Sequence, residues 1–76
     1  MKTVLKILAT IRPEFDFTES ADFISDGMLD SYDVVMLVAG LDEYYGISIA
    51  GVDIVPENFS NLNAICKLLK KHGVDI

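Results

Sequence analysis

In the stretch Asp30-Ser31-Tyr32-Asp33 a serine stands among carboxylates, directly after Ser25-Asp26-Gly27-Met28-Leu29, which reads as a loop. By position Ser31 is a helix-start residue, because Ser and Asp bond backbone N–H groups at helix ends. The hydroxyl thus stands at a loop-to-helix junction beside an acid cluster, whose carboxylates suit the positive end of the helix dipole. The same acids suggest a chemistry of their own, since Asp22, Asp26, Gly27, Leu29, Asp30 and Asp33 fall at loop positions 1, 5, 6, 8, 9 and 12 of an EF-hand-like calcium pattern. Two positions depart from it: position 3 is Ile24, without an oxygen ligand, and position 12 is Asp33, shorter than the bidentate Glu. Catalysis by the chain itself has no support, with no Gly-x-Ser-x-Gly elbow and no phosphate loop. Cys66 falls on an apolar stripe and reads as a buried, inert thiol, and His72 reads as a helix-end residue; one Cys and one His cannot build a zinc site.

The elements that must position Ser31 follow from hydrophobic spacing. Val4, Ile7, Leu8 and Ile11 recur at helical intervals and Pro13 ends the run, so a first helix is predicted over about residues 2–12. Lys6 splits the apolar part of this segment and Arg12 follows it, so it reads as helix and not as a secretion signal. Residues 13–29 have no clean period, yet Phe15, Phe17, Phe23, Ile24 and Leu29 predict a long loop pinned to the core. A second helix is predicted from Asp30 as N-cap to Tyr45, with Asp33 in capping-box position and Gly46 as its stop. Pro56 suits the first turn of a short helix, anchored by Ile47, Ile49, Ile54 and Phe59. The last helix carries Leu62, Ile65, Cys66 and Leu69 on one face, takes Ser60 or Asn61 as N-cap, and stops at Gly73. The expected fold is all-α: a small bundle of three main helices plus one short helix, four in all, with a long loop between the first two.

Composition and charge narrow the classes further. The 76 residues, 51% of them hydrophobic and 24% charged, describe one small packed domain over residues 1–76. The single Cys rules out an internal disulfide, which fits a reducing, cytoplasmic setting. All six cations lie towards the ends, at Lys2, Lys6, Arg12, Lys67, Lys70 and Lys71, while residues 13–60 hold eleven carboxylates and no Lys or Arg. Such a stretch repels phosphate backbones, so nucleic acid is excluded as a partner. The longest run without a polar side chain is eight residues, Val34 to Leu41, too short to span a bilayer.

The second helix is apolar on two sides. At 100° per residue, Val34, Leu37, Val38, Leu41 and Tyr45 form a core stripe, and Tyr32, Met36, Ala39 and Glu43 group on the opposite side with Val35 on the shoulder. A bundle this small cannot cover both faces. The outer one reads as a docking strip, with Asp33, Asp42 and Glu43 as its acidic rim. Gly40 in the same helix would allow a neighbouring backbone to come close.

Three stretches together resemble the acyl carrier protein family over nearly the whole chain. The most specific is Asp26-Gly27-Met28-Leu29-Asp30-Ser31-Tyr32-Asp33; Leu41-Asp42-Glu43-Tyr44-Tyr45-Gly46-Ile47 and Asp53-Ile54-Val55-Pro56-Glu57-Asn58-Phe59 support it by their spacing. The resemblance implies that Ser31 carries a 4′-phosphopantetheine arm, delivered from coenzyme A by a separate phosphopantetheinyl transferase that uses magnesium. It implies that the arm's thiol holds an acyl group as a thioester, and that Asp30 helps to engage the transferase and its metal. The implied partners are acyl-loading and acyl-transfer enzymes with basic docking surfaces, meeting a monomeric carrier through Asp30, Tyr32, Asp33, Val35, Met36, Ala39, Asp42 and Glu43.

The departures are informative. Where the family usually has Leu after the serine this chain has Tyr32, and where the fatty-acid type carries an acid it has Met36. Its recognition helix is therefore less acidic and more apolar, which points away from housekeeping fatty-acid synthesis towards a dedicated lipid or polyketide-type pathway. An amino-acyl carrier of the D-alanyl type is the alternative, although peptide-synthetase carriers typically have a Gly-Gly-rich stretch where Met28-Leu29-Asp30 stands here. A divalent-cation module or a small acidic adaptor without a prosthetic group completes the set.

Overall fold

Helix α1 runs over Lys2–Ile11, α2 over Ser31–Tyr45 and α3 over Leu62–Lys71 in the computed structural model, which describes residues 2–75. Short 3-10 turns at Phe17–Glu19, Gly51–Asp53 and Pro56–Asn58 occupy the connections, and no strand occurs among the described residues. The all-α expectation holds, with three α-helices instead of four.

The spacing of apolar side chains decides which faces turn inward. Val4 and Leu8 of α1 are fully buried and Ile7 and Ile11 half-buried against them. Val34, Leu37, Val38 and Leu41 are buried along the inner face of α2, with Tyr45 packed at its end. In α3 the buried residues are Ile65, Leu68 and Leu69, whereas Leu62 and Cys66 are half-buried. The stripe is thus turned slightly from the expected one, bringing Leu68 inward, and Cys66 is not the buried thiol its spacing suggested.

At Gly40, α2 packs closely against α1. A Cβ at this position would stand 3.0 Å from Ile7 Cγ2, so the close approach that glycine allows is made by a side chain of α1 and not by backbone. Gly46 closes α2 in the left-handed region at φ 65°, where a side chain is costly, and its N–H donates to Asp42 O.

The two connections supply six of the fifteen buried hydrophobic residues of the core. Phe17, Phe23, Met28 and Leu29 are buried, and Phe17 and Phe23 meet edge to face with ring centroids 5.0 Å apart. Phe23 is also the hinge of the first connection. Its carbonyl accepts from Met28 and Leu29 N–H, and its own N–H donates to Ser60 O at 2.6 Å, joining the loop before α2 to the one before α3.

The short helix expected at Pro56 is a single 3-10 turn. Val55 is extended, as the residue before a proline must be, which isolates the turn from what precedes it. Phe59, at 0% exposure, draws the chain into the core immediately afterwards, before a second turn can form. Asn58 Nδ2 donates to Asp53 O at 2.7 Å and ties the two turns of this connection together.

Candidate functional site

The site grows out of the way α2 begins. Asp30 is the N-cap, its Oδ1 accepting the Asp33 N–H at 2.9 Å, while Asp33 Oδ2 accepts the Asp30 N–H at 3.1 Å. This reciprocal capping box is the one the spacing predicts. It leaves Ser31 as the first residue of the helix, exposed to solvent. The hydroxyls of Ser20, Ser25 and Ser60, by contrast, are each spent on a neighbour: Asp26, Asp22 and the Glu57 carbonyl. Gly27, at φ 72°, makes the preceding turn possible, with its N–H on Ile24 O.

Beside Ser31 lies an apolar cavity of about 260 Å3. Ile24 and Leu29 from the first connection, Val34 and Val35 from α2, and Ile54, Val55 and Pro56 from the second connection line it, with Asp30 and Ser31 as its polar members. Three segments distant in sequence are needed to enclose it. Hydrophobic spacing places Ile24 and Ile54 on the core without indicating the gap left between them.

Arg12 completes the site. Just beyond the end of α1, its Nε donates to Asp33 Oδ2 at 2.8 Å, Nη2 lies 3.5 Å from Asp30 Oδ2, and Nη1 lies 3.3 Å from Glu14 Oε2. Burial pushes the Asp33 carboxyl up, but the Asp30 N–H and Arg12 together bring it below the ordinary carboxylate range. The hydrogen bond to Asp33 raises Arg12 in turn. The only cation between Lys6 and Lys67 was the one available signal for this contact in the sequence.

The expected docking residues divide into two groups. Tyr32, Val35 and Met36 are 70%, 59% and 43% exposed, and Ala39 and Glu43 are exposed beside them, so the outward strip exists. Its acidic rim is thinner than expected. Asp33 is only 5% exposed and its carboxylate is held by Arg12 and the Asp30 N–H, so it is removed from the strip. Asp42 is half-buried and its Oδ1 accepts the Ile49 N–H at 3.0 Å, fixing the chain as it leaves α2. Exposed Asp30 at one end and Glu43 at the other remain as rim acids. Tyr44, 64% exposed at the end of α2, and Val52, 85% exposed on the second connection, are surface apolar residues that the spacing did not single out.

The calcium pattern does not assemble. Asp22 turns on its own loop, accepting from the Ile24 and Ser25 N–H groups, Asp26 accepts from the Ser20 hydroxyl, and Asp33 faces Arg12. Among the described residues no three His, Cys, Asp or Glu side chains are gathered as a metal would require. No described helix is long and apolar enough to cross a membrane.

In the second connection, Asp53 is buried with Lys71 Nζ at 2.7 Å and His72 Nε2 at 3.7 Å. His72 ends α3 as predicted, and its ring bridges further: Nε2 accepts the Ala50 N–H at 3.3 Å and Nδ1 lies 3.0 Å from Leu68 O. No family model, no curated protein and no solved structure matches the chain.

Proposed function

We propose that the protein is an acyl carrier, with Ser31 as the attachment point of a 4′-phosphopantetheine arm. The observation that carries this reading is the juxtaposition of an exposed serine, at the first position of a capped helix, with an apolar cavity of about 260 Å3. The hydroxyl is accessible to a transferase, and the α2 N-terminus favours the phosphodiester it would acquire. In the attachment reaction the Ser31 Oγ–P bond forms and the pyrophosphate P–O bond of coenzyme A breaks. Adenosine bisphosphate leaves, and the hydroxyl proton passes to a base of the transferase. Once attached, the arm supplies a thiol that holds an acyl group as a thioester. The cavity offers the first carbons of such a group an apolar surface beside the attachment point.

The outward strip of α2 supplies the partner surface in this reading. Tyr32, Val35, Met36 and Ala39 give it an apolar centre between Asp30 and Glu43. An enzyme docking there would offer an apolar notch flanked by cations. Met36 in place of an acid favours partners of a dedicated lipid or polyketide-type pathway over general fatty-acid synthesis.

Intact mass after incubation with a broad-specificity transferase, coenzyme A and magnesium tests the proposal. Wild type gains the mass of one phosphopantetheine and Ser31→Ala gains none. An unchanged wild-type mass would instead leave a small acidic adaptor, and equal gain in the variant would move the site away from Ser31.

A further inference from the structure

A capping box satisfies two backbone N–H groups at a helix start with the side chains alone, so it needs no cation. Here a cation is present nonetheless, delivered from the end of another helix. Arg12 is set in place by its own N–H, which donates to Leu8 O at 2.9 Å as α1 finishes. Its Nε–H and the Asp30 backbone N–H converge on the same oxygen, Asp33 Oδ2, at 2.8 and 3.1 Å. Its Nη2 reaches the oxygen of Asp30 that the cap leaves over, Oδ2, at 3.5 Å. The guanidinium thus holds both acids that flank Ser31, including the one immediately before it.

Charge gives the same contact a second consequence. Glu14, Asp30 and Asp33 place three negative charges around the start of α2, and Arg12 is bonded to all three. A phosphate-bearing donor approaching Ser31 would meet the full repulsion of that group without Arg12. The planar guanidinium suits this double task better than an ammonium would, because its several N–H donors point in fixed directions.

We propose that Arg12 is a positioning residue for the modification of Ser31, orienting Asp30 and holding the first turn of α2 while it offsets the acids around the hydroxyl. The inference rests on the carrier reading. It assigns a role to a side chain that does not itself touch the reacting atoms, and it makes the end of α1 part of the site.

The test compares wild type, Arg12→Gln, Arg12→Lys and Glu14→Gln. Transferase kinetics are followed by mass at a temperature where circular dichroism shows each protein folded, and hydrogen exchange of the Asp30 amide is measured in the unmodified proteins. Arg12→Gln should lower kcat for arm attachment roughly tenfold, the order expected when a supporting contact is lost, with a smaller change in KM for the carrier. It should also speed exchange at Asp30. Arg12→Lys should fall between it and wild type, and Glu14→Gln should match or exceed wild type. Should Arg12→Gln unfold because Asp33 is left buried without a counter-charge, the pair Arg12→Gln/Asp33→Asn removes that charge and keeps an amide oxygen for the Asp30 N–H; the same loss of kcat is then expected. A folded Arg12 variant modified at the wild-type rate, with only its melting temperature reduced, overturns the proposal and leaves Arg12 as a fold contact. Failure of wild type itself to accept the arm would instead remove the carrier reading and this inference with it.

Discussion

Asp33 and Asp53 are both buried, and each is met by a cation from a distant part of the chain, yet the two ion pairs are built differently. Asp33 lies under the first turn of α2 and receives Arg12, itself only 33% exposed, together with a backbone N–H. Asp53 lies in the connection before α3 and receives Lys71, whose side chain is 64% exposed, with His72 farther away. The first is a network in which Arg12, Asp30 and Asp33 each have more than one partner. The second is a clasp whose cation remains largely in water, where screening and side-chain freedom reduce its worth. The contact beside Ser31 is therefore expected to be the stronger of the two.

The largest expected difference comes from removing each acid. Asp33→Ala deprives the Asp30 N–H of its acceptor and halves the capping box, which should cost about 2 kcal/mol. Asp53→Ala loses a pair whose cation is largely in water and should cost about 1 kcal/mol. Urea denaturation of both variants at about pH 7 measures the difference; an equal or greater loss at Asp53 would reverse the ranking.

Acid provides a gentler way to separate them. Burial works against the Asp33 carboxylate but the Asp30 N–H and Arg12 outweigh it, so its native pKa lies below the unfolded value near 3.9. The stabilisation is then complete above that value and disappears as pH falls through the lower native one. Asp16 and Asp22 move in the same direction, through the side chain of Thr18 and the N–H of Ser25 respectively. Wild type should therefore lose stability below about pH 4, and Asp33→Asn should lose less over the same interval. Melting temperatures across that range would contradict this if the two proteins ran parallel.

The smallest effect concerns Lys71. Lys71→Ala should cost about 0.5 kcal/mol in dilute buffer and nothing measurable at roughly 1 M salt, where exposed pairs are screened. Over the same titration the wild-type melting temperature should rise slightly, since the net charge is −6 and most acids remain exposed. Thermal melts at the two salt levels decide both points, and a deficit that persists in high salt would make the clasp a buried contact after all.

Legibility from sequence followed the range of the interaction. Asp30 with Asp33, Gly46 at the end of α2 and Asn61 at the start of α3 are local caps, each closed within four residues; the first two are found where the spacing puts them, and Asn61 is one of the two N-caps it allowed for α3. The inward stripe of α2 was legible for the same reason, as helical pitch alone brings Val34, Leu37, Val38 and Leu41 together. Asp33 was legible as a cap but was misplaced as a docking acid, because its partner is 21 residues away. The run of eleven carboxylates looked unopposed for a similar reason: its cations come from outside it, Arg12 to Glu14, Asp30 and Asp33, and Lys71 to Asp53.

By itself, then, the sequence determined three helices, their inward faces, the exposed start of α2 at Ser31 and the apolar outer strip beyond it. These depend on backbone geometry and hydrogen bonds between near neighbours, which a few adjacent residue types suffice to specify. Only the tertiary structure decided that Arg12 would gather the acids around Ser31, that Asp33 and Asp42 would leave the docking strip, and that Ile24, Val35 and Ile54 would enclose a cavity beside the serine. Each of those outcomes requires the ends of α1, α2 and the two connections to meet, and the free energy that makes them meet comes from burying the shared core, a property of the whole chain and not of any segment.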